Sequence, residues 1–159
     1  TLGIVPGIGG LVVPYRRWPA AANVFHSMLI KAEKLDVERA AQIGMINTLV
    51  DKHMNLIPAG VWLVKELQER QHKIQDGAVE IAPIIREINK PLSAFGQPLS
   101  PAVIEIMCEA IGKAANSESF STALEIGYEA FGDSACTAAA KDGISSFTQG
   151  RTPDFQKTG

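Results

Sequence analysis

The chain has 159 residues, 46% hydrophobic and 20% charged, a balance that fits one globular domain and is too apolar for a disordered tail. Its formal net charge of −2 lacks the Lys/Arg excess that displaces counterions from phosphates, so nucleic acid is not an expected partner. No uninterrupted apolar run approaches the roughly 20 residues of a membrane-spanning helix, so no membrane is expected, and two distant cysteines, Cys108 and Cys136, fit a reducing, cytoplasmic setting.

The chain opens on TLGIVPGIGG, without Met, and enters a Gly-rich turn almost at once, which reads as the interior of a longer fold. The apolar stretch from Gly3 to Pro14 lacks the basic leader of a signal peptide and is broken by Pro6, Gly7, Gly9 and Gly10. A preceding sheet would ordinarily cover such a turn, so the isolated chain is expected to expose a sticky patch there or to borrow a partner. Ala21, Val24, Phe25, Met28 and Leu29 recur at helical spacing and predict a helix over Ala20 to Lys31. Asp36 is placed to cap a short helix from Val37 to Ile43, and Gly44 to stop it, with Met45 to Val50 continuing as a short strand.

A longer helix is predicted from Pro58 to Lys73, with Val61, Leu63, Val64 and Leu67 as its apolar stripe and Gln75-Asp76-Gly77 ending it. Lys90 to Pro101 (KPLSAFGQPLSP) has the Pro, Gly and Ser content of a linker or lid. Beyond it Val103, Ile106, Met107, Ala110 and Ile111 mark one helix, and Phe120, Ala123, Leu124, Ile126 and Phe131 a second. Asp133-Ser134 then precede an Ala-rich piece, Ala135 to Ala140, and Asp142-Gly143 precede a last amphipathic piece around Ile144 and Phe147. The pattern is mainly α with a short β element.

Few residues form a constellation with chemistry. The turn lacks a glycine at Val12, where a dinucleotide fingerprint needs one, and no Gly-Lys-Ser/Thr loop or Gly-x-Ser-x-Gly elbow occurs. His26, His53 and His72 share no helix face and have no Cys or carboxylate cluster, so no metal site is expected. Arg16, Arg17 and Trp18 suit a phosphate or a nucleobase in principle, but two arginines beside Tyr15 more often form a solvated or ion-paired start to a helix. The carboxylates Glu66 with Glu69, and Glu105 with Glu109, fall on polar helix faces, so no catalytic residue is expected within the chain and no metal is implied.

Leu2 to Gly10, Ala40 to Asn47 and Asp142 to Phe155 form three ordered landmarks that resemble the crotonase family, the enoyl-CoA hydratases and isomerases. Leu2, Gly3, Pro6, Gly7, Gly9 and Gly10 stand on an L-G-x-x-P-G-x-G-G segment. Ala40, Gly44 and Asn47 fall on the family's T-G-x-x-I-x-A-x-x-A and G-L-V-N run, with Lys31-Ala32 replacing the usual Thr-Gly. Asp142, Gly143, Ser146, Phe147, Arg151, Pro153 and Phe155 stand in register with E-G-x-x-A-F-x-x-K-R-x-P-x-F, with Gly150 at the usual Lys. Residues 52 to 100 match poorly and exceed the usual connection.

The resemblance implies the C-terminal helical half of a crotonase-like (ClpP/crotonase) α/β superhelix. Residues 1–51 would end the core, 52–100 form a divergent helical insertion with a Pro-rich linker, and 101–159 form a helical region for oligomerisation and for coenzyme A. It implies an enzyme in which two backbone N–H groups hold a thioester enolate and Glu side chains move protons, those groups lying upstream of Thr1. The substrate is an acyl-CoA thioester, coenzyme A arriving as part of it with no separate cofactor, and the assembly a homo-oligomer, a trimer or hexamer. Implied substrate-binding residues are Gly7, whose amide would face the acyl group, Phe147 near the adenine, and Arg151 or Lys157 in place of the missing Lys. Other readings stay open: an inactive helical assembly module, a ring-opening acyl-CoA hydrolase, or part of a fused hydratase-dehydrogenase.

Overall fold

Short polar side chains start the helices by accepting the backbone N–H groups that a first turn leaves unpaired. Asp36 accepts from Arg39 N–H at 2.7 Å and starts α3, Val37–Gln42, as the sequence predicts. Ser100 accepts from Val103 N–H for α5, Pro101–Asn116, and Ser119 from Thr122 N–H for α6, Phe120–Ala135. Thr137 accepts from Ala140 N–H for α7, Ala138–Gln149. The remaining helices are α1, Val13–Arg17; α2, Ala22–Lys31, entered through a 3-10 turn at Pro19–Ala21; α4, Leu56–Leu67; and α8, Phe155–Thr158. This is a computed structural model, and it describes residues 2–67, 74–84, 93–94 and 97–158.

The fold is mainly α, as the periodicity predicts. The short β element lies elsewhere than expected. Met45 to Val50 form no strand, because Met45 N–H turns back to Ala40 O and among the described residues no neighbouring strand offers a ladder. Instead Ser93–Ala94 (β1) pairs antiparallel with Gln97–Pro98 (β2), inside the stretch read as a linker or lid. Ser100, at its end, is 2% exposed and tied to α5. Residues 68–73 of the predicted long helix, and residues 90–92 and 95–96 of the linker, lie outside the described residues.

Two further boundaries move. Ser134 belongs to α6, and the break falls at Cys136-Thr137. Asp142-Gly143 do not interrupt α7, because Gly143 is kept there for packing and not for a turn.

The core is built from both ends of the chain. Val5, Leu11, Val12 and Tyr15 meet Phe25 and Ile30 of α2, Met107 and Ile111 of α5, and Phe155 of α8. Ala110 and Ala114 on α5, with Ala123 and Ala130 on α6, are buried small residues that let these two helices lie close. Most of the apolar turn is therefore covered within the chain, with Ile8 at its tip left exposed. Val5, Leu11 and Val12 are each 2% exposed or less under the chain's own helices, with burial worth about 1.5–3 kcal/mol for each aliphatic side chain.

Helix α4 is the exception. Of its predicted stripe, Val61 and Val64 face solvent, whereas Leu63 is half-buried, as is Ala59.

Candidate functional site

The Gly-rich turn and the C-terminal motif meet across the core. Gly3 adopts φ +67°, and a Cβ there would fall 2.5 Å from the Ala139 carbonyl oxygen and 2.9 Å from the Phe155 ring. Across the same seam, a Cβ on Gly143 would collide with the Leu2 carbonyl. Glycine is required on both sides because two backbones approach closely there. Val5 N–H donates to Ser134 Oγ at 3.1 Å, and that hydroxyl donates to Phe131 O, so the extended segment is anchored to α6.

After that anchor the chain turns, with Gly10 N–H bonded to Gly7 O and both Val12 and Val13 N–H to Gly9 O. Gly7 is half-buried, and its Cα side faces the Phe131 ring at 3.1 Å from where a Cβ would stand. Ile8 holds φ +53° at the tip with its side chain 92% exposed, a costly conformation for a β-branched residue.

The motif at the C-terminal end folds around Asp142. Its Oδ1 accepts from Arg151 Nη2 at 2.8 Å and from Ser146 Oγ at 3.3 Å, and its Oδ2 accepts from Asp154 N–H at 2.8 Å. The Arg151 hydrogen bond, then the Asp154 amide, hold the Asp142 carboxyl below the usual aspartate range. Lys157 pairs with Asp154 at 3.0 Å and lowers that carboxyl in turn, through a hydrogen bond first. Gly150 ends α7 at φ +66°, which gives the departure from Lys a backbone reason.

Of the four residues implied for substrate, Arg151 and Lys157 come to one corner, between the end of α7 and α8, and Phe147 stands on the last turn of α7. Gly7 is placed separately, against α6. Ser146 and Phe155 of the motif are buried, whereas Phe147 is 76% exposed. Packing therefore accounts for the buried motif residues and not for Phe147.

Arg16 is not a solvated helix start. It is 1% exposed, and among the described residues it pairs with no carboxylate. Its Nη1 donates to the carbonyls of Gln75, Asp76 and Gly77, and its Nη2 to those of Ala114 and Ser117 and to Ser117 Oγ. Those last acceptors end α5, where a cation meets the negative end of the helix dipole. Desolvation lowers the guanidinium pKa, and the charge of Asp76 opposes that. Spacing held the signal: Arg16 lies four residues after the buried Val12 and shares its helical face. Arg17 stays exposed over the Trp18 ring at 4.9 Å, and Trp18 Nε1–H donates to Gly44 O.

Beside it, Tyr15 Oη and His26 Nδ1 lie 2.9 Å apart, and His26 Nε2 lies 2.8 Å from Ala82 O. A carbonyl can only accept, so Nε2 carries the proton and Nδ1 accepts from Tyr15 when the ring is neutral. Burial, and then the neighbouring Cys108, push the Tyr15 hydroxyl well above its ordinary pKa. Among the described residues no group of three His, Cys, Asp or Glu side chains could hold a metal, and no helix is long and apolar enough to cross a membrane.

Compared with protein-family models, with curated proteins and with solved structures, the chain matches none.

Proposed function

We propose that this chain is the C-terminal part of a crotonase-type acyl-CoA hydratase or isomerase, cytoplasmic and assembled as a trimer or hexamer. Its chemistry is stabilisation of a thioester enolate by backbone N–H groups, with the proton-moving Glu residues contributed from upstream of this chain. Here Gly7 offers its amide towards the acyl group, Phe147 stacks on the adenine, and Arg151 and Lys157 meet the phosphates. The Lys157 pair with Asp154 is exposed, worth about 0–1 kcal/mol at most, so a phosphate displaces it at little cost.

The observation that carries the reading is the seam between the first and third landmarks, where Gly3 and Gly143 are both required by close backbone approach. The second landmark adds support. Ala32 holds φ +52° at the end of α2, the position at which the family pattern has Gly. The test is hydration of crotonyl-CoA, with isomerisation of a 3-enoyl-CoA beside it, by the complete polypeptide carrying both upstream Glu positions. Turnover of either substrate is expected; absence of both turnover and acyl-CoA binding overturns the reading.

The exposed apolar face of α4 favours a second reading, an assembly module without acid or base groups. A monodisperse monomer at high concentration by light scattering removes the assembly module and the trimer or hexamer alike, so acyl-CoA turnover by the complete polypeptide is what separates the two readings.

A further inference from the structure

We propose that the groove between α5 and the segment 79–84 is a binding site for a small aliphatic ammonium ligand, independent of the acyl-CoA reading. Segment 79–84 (VEIAPI) crosses α5 without regular structure and is pinned at two points. Val79 N–H donates to Ala115 O at 2.8 Å, and His26, itself held by Tyr15, donates to Ala82 O at 2.8 Å. The wall is therefore fixed before any ligand arrives.

Between this wall and α5 lies a cavity of about 420 Å³, within the size range of small-molecule sites. Ile81 and Ile84 on one side and Ile111 on the other give it an apolar lining. Gly112 leaves it open, because a Cβ at that position meets nothing within 4 Å.

The rim sets the charge of the occupant. Glu105 and Glu109 line the groove one helical turn apart, where like charges repel, and Glu80 is exposed beside Ile81. Lys113 closes on Glu109 at 2.6 Å, and among the described residues no cation pairs with Glu105. An ammonium head at Glu105, the carboxylate that Lys113 does not already neutralise, adds an ion pair while an alkyl body covers the isoleucines. A carboxylate of the same length meets repulsion instead.

Cys108 lines the groove, whereas Cys136 is exposed at the end of α6, so the two thiols serve as probe and internal reference. The experiment follows iodoacetamide alkylation of each by mass spectrometry with hexylammonium, hexanol or hexanoate added. Hexylammonium is expected to slow Cys108 about threefold and leave Cys136 unchanged, with hexanoate doing neither. In saturation-transfer NMR, Gly112→Leu is expected to weaken hexylammonium binding by roughly tenfold with no loss of thermal stability, and Glu105→Gln by about threefold. Equal protection by hexanoate, equal slowing of both thiols, or no protection by hexylammonium overturns the proposal.

Discussion

Leu11 and Val12 of the Gly-rich turn are each 1% exposed, whereas Ile57, Val61 and Val64 of α4 are 78%, 53% and 60% exposed, although both stretches are rich in aliphatic residues. The difference is one of partners. The turn lies between the chain's own helices and is locked by Gly3, Gly143 and Ser134, while among the described residues α4 packs on little beyond the 3-10 turn at His53–Asn55. Apolar content states a demand for cover, and only tertiary structure states whether the same chain meets it. The sequence landmarks follow the same division, since the first and last lie in the packed ends and the poorly matching residues 52–100 contain α4.

The largest effect is expected at the seam. Gly143→Val forces a side chain into the Leu2 backbone and should cost about 3 kcal/mol or more in thermal or urea unfolding. Stability equal to wild type would mean that the two ends do not meet as described.

Arg16→Met tests the link from the packed end to the middle. It removes the donor of Gln75, Asp76 and Gly77 and should cost about 3 kcal/mol, with faster amide exchange over residues 74–79 than over α6. Uniform exchange changes would show that Arg16 does not hold that loop specifically.

A smaller effect depends on pH. Asp142 has its folded pKa lowered, so its contribution is fully present above the ordinary aspartate value of about 4 and is lost as pH falls towards the folded value. Asp142→Asn should therefore flatten the acid limb of stability, read as urea midpoints across a pH series. An acid limb as steep as wild type would remove the Arg151 and Asp154 contacts from the account.

The smallest effect is expected in α4. Replacing Ile57, Val61 and Val64 together by Gln should change stability by no more than about 0.5 kcal/mol per site, because those side chains are already in water. A loss of several kcal/mol would show that α4 is covered and that the contrast is false.

Local chemistry was legible in the sequence. The Asp36 cap, Gly44 at φ +76°, and the two long helices α5 and α6 follow from caps and 3.6-residue spacing. What depends on distant partners was not. Met45 to Val50 has strand composition but, among the described residues, no strand beside it, and Arg16 finds acceptors 59 to 101 residues away. Gly143 looked like punctuation because a glycine in a sequence does not show whether it serves a turn or a close approach. For the candidate site, the motif indicated the corner that holds Arg151 and Lys157, while the groove beside α5 left no trace, since it arises from a segment without periodicity.

The proposal tested most directly is that the packed ends present Phe147 and Lys157 to coenzyme A. The direct measurement is steady-state kinetics of crotonyl-CoA hydration by the complete polypeptide, wild type against the Phe147→Ala, Lys157→Ala double variant. Both side chains are exposed, so the fold should be unaffected. The account predicts KM raised about tenfold with kcat within about twofold, the pattern of lost binding that is equal in ground and transition states. Unchanged KM, or a fall in kcat alone, would contradict it.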